Sequence, residues 1–188
     1  MHPYEMRGLM LERGHDDVIK LKGGSLYDTV ERLQRLEFIE PVQTTREGRR
    51  PERTVYSITD SGREELKVWL RELLSEPAQE YPQFAAGLAF MAGLEGKEEV
   101  EQLLRRRAIL LESRIAAADT VLRHAREADA VPRLFLIEGE YGQAMRRAEL
   151  DWLREVVRDL EAGRLWPDAE TWNRLWERTR AASEEVDV

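Results

Sequence analysis

Seven apolar residues, Leu104, Ala108, Leu111, Ile115, Ala118, Leu122 and Ala125, recur at steps of 4, 3, 4, 3, 4 and 3. This alternation keeps one stripe of an α-helix turned toward a partner helix over three heptads. The chain must meet that stripe with another helix, from its own sequence or from a second copy, and both remain open at this stage. The pattern predicts a helix over residues 97–126. Pro132 restarts a helix to about residue 162, with Ile137, Tyr141, Met145, Ala148, Trp152, Val156 and Leu160 near one face. Gly139 and Gly142 weaken it by roughly 1 kcal/mol each relative to alanine, and Gly163 stops it. Pro167 and Asp168 open a last helix carrying Trp172, Leu175 and Trp176 on one stripe. Residues 76–188 therefore read as an all-helical, coiled-coil-like domain.

The first 75 residues follow a different order. Pro3 near a first turn and Gly14 beyond the last predict a short helix over residues 3–13. After a connector, Ser25 and Asp28 fit a capping box, hydroxyl first and carboxylate three residues later. Leu26, Val30, Leu33 and Leu36 place the core face of the helix they open, ending near Leu36. Extended runs at 41–44 and 54–58 flank a turn-rich segment holding Gly48 and Pro51, so a hairpin with an extended tip is predicted. That tip carries Arg46, Arg49, Arg50 and Arg53 against Glu47 and Glu52. Thr59 is the expected N-cap of a further helix to about residue 74, with Leu66, Trp69, Leu70 and Leu73 along one face. Pro77 and Pro82 mark a linker after it.

Composition removes several classes of function. Cysteine is absent from the 188 residues, which excludes disulfides, thiolate metal sites and a cysteine nucleophile. His2, His15 and His124 are far apart, and none sits at the i, i+4 spacing of a helical zinc site. No nucleophile elbow, dinucleotide fingerprint or phosphate loop is present, so no enzyme, metal or cofactor is expected. No apolar run reaches membrane-spanning length and no signal-peptide core opens the chain, which predicts a cytoplasmic protein without a membrane partner. The net charge of −8 is uneven: residues 1–62 hold 10 basic and 11 acidic side chains, the remainder 19 and 26. The acidity belongs to the helical half, and the hairpin tip is a local basic feature.

Helix, connector, capped helix, arginine-tipped hairpin and helix is the order of a winged helix-turn-helix, a mainly α fold with one small β-hairpin. A helix fits the major groove and can read bases with the polar face its core stripe leaves free. Here that face offers Ser25, Tyr27, Thr29 and Arg32, while Arg46, Arg49, Arg50 and Arg53 can reach phosphates.

The sequence resembles the PadR-like transcriptional regulators. The resemblance rests on His2-Pro3-Tyr4-Glu5-Met6, on Gly24-Ser25-Leu26-Tyr27 followed by Val30, Arg32 and Leu33, and on Phe38-Ile39-Glu40. It continues through Gly48-Arg49-Arg50-Pro51, Tyr56-Ser57-Ile58-Thr59 and Gly62. It implies a winged-helix DNA-binding domain over residues 1–75 and a homodimeric repressor held by its C-terminal helices. Its partners would be a near-palindromic double-stranded operator and a small aromatic effector or stress signal that relieves binding. Two departures stand out. Relatives usually carry another helix before the His-Pro-Tyr-Glu motif, whose lack here is expected to leave one side of the small core uncovered. Asp28 replaces a proline, basic or neutral residue, and is assigned to capping. The plainer reading of Trp152, Trp172 and Trp176 is core or dimer interface, with an aromatic effector pocket as the alternative. A competing reading of the whole chain is a helical dimerisation or sensor module with a degenerate DNA-binding half.

Overall fold

The computed structural model describes residues 1–15, 19, 23–45, 53–127 and 131–186. The chain divides into two compact units, Met1–Glu80 and Tyr81–Val188.

The first unit runs α1 (Pro3–Glu12), α2 (Gly23–Arg35), β1 (Ile39–Thr45), β2 (Arg53–Ile58) and α3 (Asp60–Ser75). A reciprocal cap starts α1. The His2 Nδ1 accepts from the Tyr4 amide at 3.1 Å, and the Glu5 carboxylate accepts from the His2 amide at 3.1 Å. Pro3 occupies the first turn, where a missing N–H leaves nothing unsatisfied. Met1 and Tyr56 exchange backbone hydrogen bonds in both directions, which ties the start of the chain to β2.

Helix α2 begins two residues earlier than the capping pattern suggests, so Ser25 lies inside its first turn rather than at the cap. Val30 is buried and Leu26 and Leu33 are half-buried, but Leu36, the last residue of the expected stripe, is exposed. Two residues beyond the helix, Glu37, with a φ of 59°, turns the chain toward the sheet. The antiparallel register pairs Ile39 with Ile58 and Pro41 with Tyr56, then Gln43 with Val55, so Val42 is an extra residue in β1. Such a bulge suits a strand that contains proline, because the ladder is already interrupted there.

Thr59 caps α3 as expected: its hydroxyl oxygen accepts from the Gly62 amide at 3.0 Å and donates to the Glu37 carbonyl at 2.8 Å. Ser61 donates to the same carbonyl, and the Thr59 amide donates to Phe38 O. The start of α3 is thereby drawn against the Glu37–Phe38 turn so closely that only glycine fits at 62. A Cβ there would lie 2.9 Å from the Phe38 carbonyl carbon, closer still to its oxygen, and 3.0 Å from Ile58 Cγ1. Along the rest of α3 the expected core face is only partly covered. Trp69 packs edge-on against Phe38, at 5.9 Å between ring centroids, while Leu66, Leu70 and Leu73 are exposed, Leu73 by 74%.

The second unit contains α4 (Gln83–Ala89), a 3-10 turn at Met91–Gly93, α5 (Lys97–Glu127), a second 3-10 turn at Arg133–Phe135, α6 (Ile137–Glu161) and α7 (Ala169–Val186). The heptad stripe of α5 finds its partner within the chain. Val100, Leu104 and Leu111 interlock with Leu150, Leu153, Val157 and Leu160 of α6, and Ala108 and Ile115 pack beside them. Short α4 adds Phe84 and Leu88 to this core, and the Arg107 guanidinium lies 3.7 Å over the Phe84 ring. Ion pairs flank the seam: Arg107 to Glu149, Arg154 to Glu112, Arg147 to Asp119 and Arg105 to Glu161.

The buried face of α6 matches the expected one only at its C-terminal end, where Val156 and Leu160 join the core. Leu150, Leu153, Val157 and Leu160 are buried, together with Gln143, whereas Ile137, Tyr141, Met145 and Trp152 are exposed. Helix α6 carries two apolar stripes, and the buried one is broken by Gly139, Gln143 and Arg146. The other stripe faces outward at Ile137, Tyr141, Met145 and Trp152 and turns into the core at Val156 and Leu160. Gly163, at φ 65°, ends the helix, and Arg164 N donates back to Asp159 O at 2.8 Å, as a left-handed cap requires. Asp168 then caps α7 by accepting from the Thr171 amide at 2.8 Å.

Candidate nucleic-acid interface

Burial of Val30 turns the opposite side of α2 to solvent. Ser25, Asp28, Thr29, Glu31, Arg32 and Arg35 are exposed there, and Tyr27, at the edge nearer Val30, keeps 51% of its surface accessible. Ser25, Tyr27, Thr29 and Arg32, the four helix residues expected to face DNA, thus lie on exposed positions of one helix. The Thr29 hydroxyl donates to Ser25 O at 2.7 Å, which leaves its oxygen able to accept. Arg32 makes no ion pair with any described residue, so its five N–H donors are available to an acceptor such as a guanine edge or a phosphate. Tyr27 also borders a cavity of about 330 Å³ between α1, α2 and β2, lined further by His2, Gln34 and Tyr56.

The hairpin rises beside this helix, and β1 packs against α2. Arg53 opens β2 opposite Thr45. Its guanidinium lies 3.7 Å from Glu5 Oε1, both side chains being about half exposed. Glu5 therefore has two duties, capping α1 and holding the base of the wing. Sequence reasoning missed the second, although His-Pro-x-Glu carries the signal for the first: a cap, a proline and a carboxylate three residues on. Arg46, Arg49 and Arg50, the remaining expected phosphate contacts, lie outside the described residues.

The second expected set separates. Trp152 stacks edge-on with Phe84, at 6.1 Å, and Trp172 packs against Trp166, at 5.7 Å. Among the described residues no ring contact joins Trp152 to Trp172, and the Trp176 side chain lies outside them. The described residues contain no group of three histidines, aspartates or glutamates placed to hold a metal. No helix among them is long and apolar enough to cross a membrane.

Residues 1–68 match the family described as Transcriptional regulator PadR-like. The fold is shared more widely. Bacillus subtilis PadR, solved in complex with operator DNA, superposes with a TM-score of 0.67 at 18% identity, over 85% of this chain and 91% of that one. The protein smu.1604c from Streptococcus mutans UA159 gives 0.59 at 24% identity, over 82% and 89%. Bacillus subtilis PadR in complex with p-coumaric acid gives 0.63 at 17% identity, over 86% and 90%. No curated protein matches the sequence. At these identities the structural likeness concerns the fold: a winged helix followed by long helices.

Proposed function

We propose that this chain, whose residues 1–68 match the PadR-like transcriptional regulators, binds double-stranded operator DNA as a homodimer and represses transcription until a small molecule releases it. The observation that carries the reading is the outward face of α2, polar along its length, with Arg32 unpaired among described residues and the wing beside it. In the major groove Arg32 and Thr29 would meet base edges, while Ser25 and Tyr27 would meet base edges or the flanking phosphates. Arg46, Arg49, Arg50 and Arg53 would hold the neighbouring backbone from the wing. A relative of the same fold solved with operator DNA supports this assignment, and the same relative solved with p-coumaric acid supports an effector.

Exposed apolar side chains on the helical unit support a homodimer. Its inner seam is satisfied within the chain, yet α5 and α6 still expose Ile109, Val121, Ile137, Tyr141 and Met145. Soluble chains seldom leave so many large apolar side chains uncovered on neighbouring helices, and a second copy is the natural cover. Two-fold symmetry then sets two α2 helices on half-sites about one DNA turn, ~34 Å, apart.

Selection of bound duplexes from a random pool tests binding and half-site spacing together. Enrichment of a near-palindrome is expected, and no retarded complex at low salt would overturn the reading. Exchange of Arg49 and Arg50 for alanine should flatten the dependence of log affinity on log salt by about 0.9 for each phosphate no longer neutralised.

The second reading, a dimerisation or sensor module with a degenerate DNA-binding half, is favoured by one observation. The α3 face carrying Leu66, Leu70 and Leu73 is left uncovered, which makes the core of the first unit thin. It requires a folded dimer without DNA affinity, so the same selection separates the two.

A further inference from the structure

A carboxylate stands at the centre of the α2 face that would meet base pairs. Asp28 and the buried Val30 lie about 200° apart around a helix of 3.6 residues per turn, so Asp28 sits on the side opposite the core. Arg32 and Arg35 follow it by four and seven residues, and Ser25 precedes it by three. That spacing sets all three within about 60° of it, and all are exposed. Any approach that brings Arg32 to a duplex brings Asp28 with it.

Two local duties could explain an acid here, and the structure gives Asp28 neither. The helix starts at Gly23, so Asp28 is its sixth residue and lies past the first-turn amides that a cap would satisfy. Capping, the role its spacing from Ser25 suggests, is therefore not its role. Arg32 stands at the i, i+4 spacing that favours an ion pair, yet no such pair forms, and the Asp28 side chain bonds to no described residue. Glu31, the other acid of α2, lies about 60° to the side away from Arg32 and borders the cavity beside β2.

An unpaired carboxylate is repelled by phosphates and costs affinity for any duplex. Tight binding tolerates it only where it finds a donor. In the major groove the donors on base edges are cytosine N4–H and adenine N6–H. Adenine sets its N7 acceptor beside that amine, so the second carboxylate oxygen would meet a lone pair. Cytosine presents no acceptor there.

We propose that Asp28 selects cytosine in each operator half-site, its carboxylate accepting from the N4 amine, and so sets sequence specificity rather than affinity. Arg32, about 6 Å further along the helix, donates to a guanine within two base pairs of that cytosine. The inference rests on the DNA-binding reading and adds to it a base that the helix demands.

The test starts from duplexes that the full chain selects from a random pool. A cytosine is expected at one fixed position of each half-site. Changing that C·G pair to T·A removes the amine and should weaken binding about fivefold or more. Asp28→Ala should lose this discrimination and bind the T·A duplex more tightly than the unsubstituted protein does, because the repulsion is gone. Asp28→Asn, whose amide matches adenine N6 and N7, should move the preference at that position from cytosine to adenine. Asp28 has no partner to lose and alanine favours a helix interior over aspartate, so helical content by circular dichroism should hold. No enriched duplex at all sinks the regulator reading and this inference with it. An enriched motif without a fixed cytosine, a motif that neither substitution alters, or equal weakening of both duplexes by Asp28→Ala sinks this inference alone.

Discussion

Replacing Gly62 with alanine sets two effects of known sign against each other. In a helix interior, alanine is worth about 1 kcal/mol over glycine, so a helix with open space at that position should gain. At position 62 the added Cβ meets the Phe38 carbonyl at less than van der Waals separation and Ile58 Cγ1 at 3.0 Å. Relief requires the Glu37–Phe38 turn to withdraw from α3. That withdrawal strains the Thr59 amide bond to Phe38 O and the Thr59 and Ser61 hydroxyl bonds to Glu37 O. Overpacking costs about 1–3 kcal/mol, and each broken hydrogen bond about 0.5–1.5 kcal/mol. With one or two bonds broken, and after crediting alanine's propensity, Gly62→Ala should destabilise the first unit by about 0.5–5 kcal/mol, up to a large part of the stability of a small domain. Gly8→Ala is the matched control, because nothing lies within 4 Å of a Cβ built there. It should be neutral or stabilising by up to about 1 kcal/mol. Hydrogen exchange read by mass spectrometry separates the units, with faster exchange expected in peptides covering 38–45 and 53–75 and none in 100–111 or 150–160. Unchanged protection in the Gly62→Ala protein would refute the close-approach argument.

Glu37→Gly removes the side chain from a left-handed residue while keeping the carbonyl that Thr59 and Ser61 use. It should stabilise the first unit by up to about 1 kcal/mol in urea melts, and a loss would mean that the Glu37 side chain itself is needed. In the second unit, hydrogen bonds from Arg133 and then Arg126 hold the Glu140 carboxyl below its ordinary range. The stabilisation this brings is complete above the unfolded carboxylate value of about 4.3 and fades as pH falls through the lower folded value. Glu140→Gln should therefore flatten the decline in urea midpoint on acidification, and a profile identical to the unsubstituted protein's would exclude this linkage. Glu5→Gln keeps an acceptor for the His2 amide but removes the carboxylate beside Arg53. Stability should move by less than about 1 kcal/mol, while the salt slope of DNA binding steepens by up to about 0.9 as Arg53 becomes free for a phosphate. An unchanged slope would mean that Arg53 takes no phosphate.

How legible the molecule was depended on what kind of force shaped each part. The α5 stripe was readable because one periodic signal covers three heptads and a helix answers it directly. Helix α6 was misread over its first four turns, where two stripes of similar apolarity run along it and the interrupted one won the core, while Val156 and Leu160 were read correctly. Gln143 disguises that face, because its amide is satisfied by Ile115 and Asp119, partners distant in sequence. Thr59 was evident as a cap from its own neighbourhood. Its tie to Glu37, and the resulting demand for glycine at 62, depends on contacts across more than twenty residues that no local pattern encodes. At the candidate site the exposed α2 residues followed from the core stripe alone. The pairing of Glu5 with Arg53 did not, since it joins elements nearly fifty residues apart. The tryptophans were grouped by type and proximity along the chain, and the fold distributes two of them to different neighbours.

The unpaired residue at Val42 gives the wing a tolerance that an unbroken ladder would lack. Along a continuous hairpin, gaining or losing one amino acid inverts the sidedness of everything downstream. Here the surplus is already absorbed. Losing Val42 would straighten the ribbon yet leave Thr44 facing Thr54 and Thr45 facing Arg53, as they do now. What would change is the coiling of the ribbon, and with it the direction in which its tip is aimed. Length variation at this point can therefore redirect the reach of the flap without scrambling which side chains it presents.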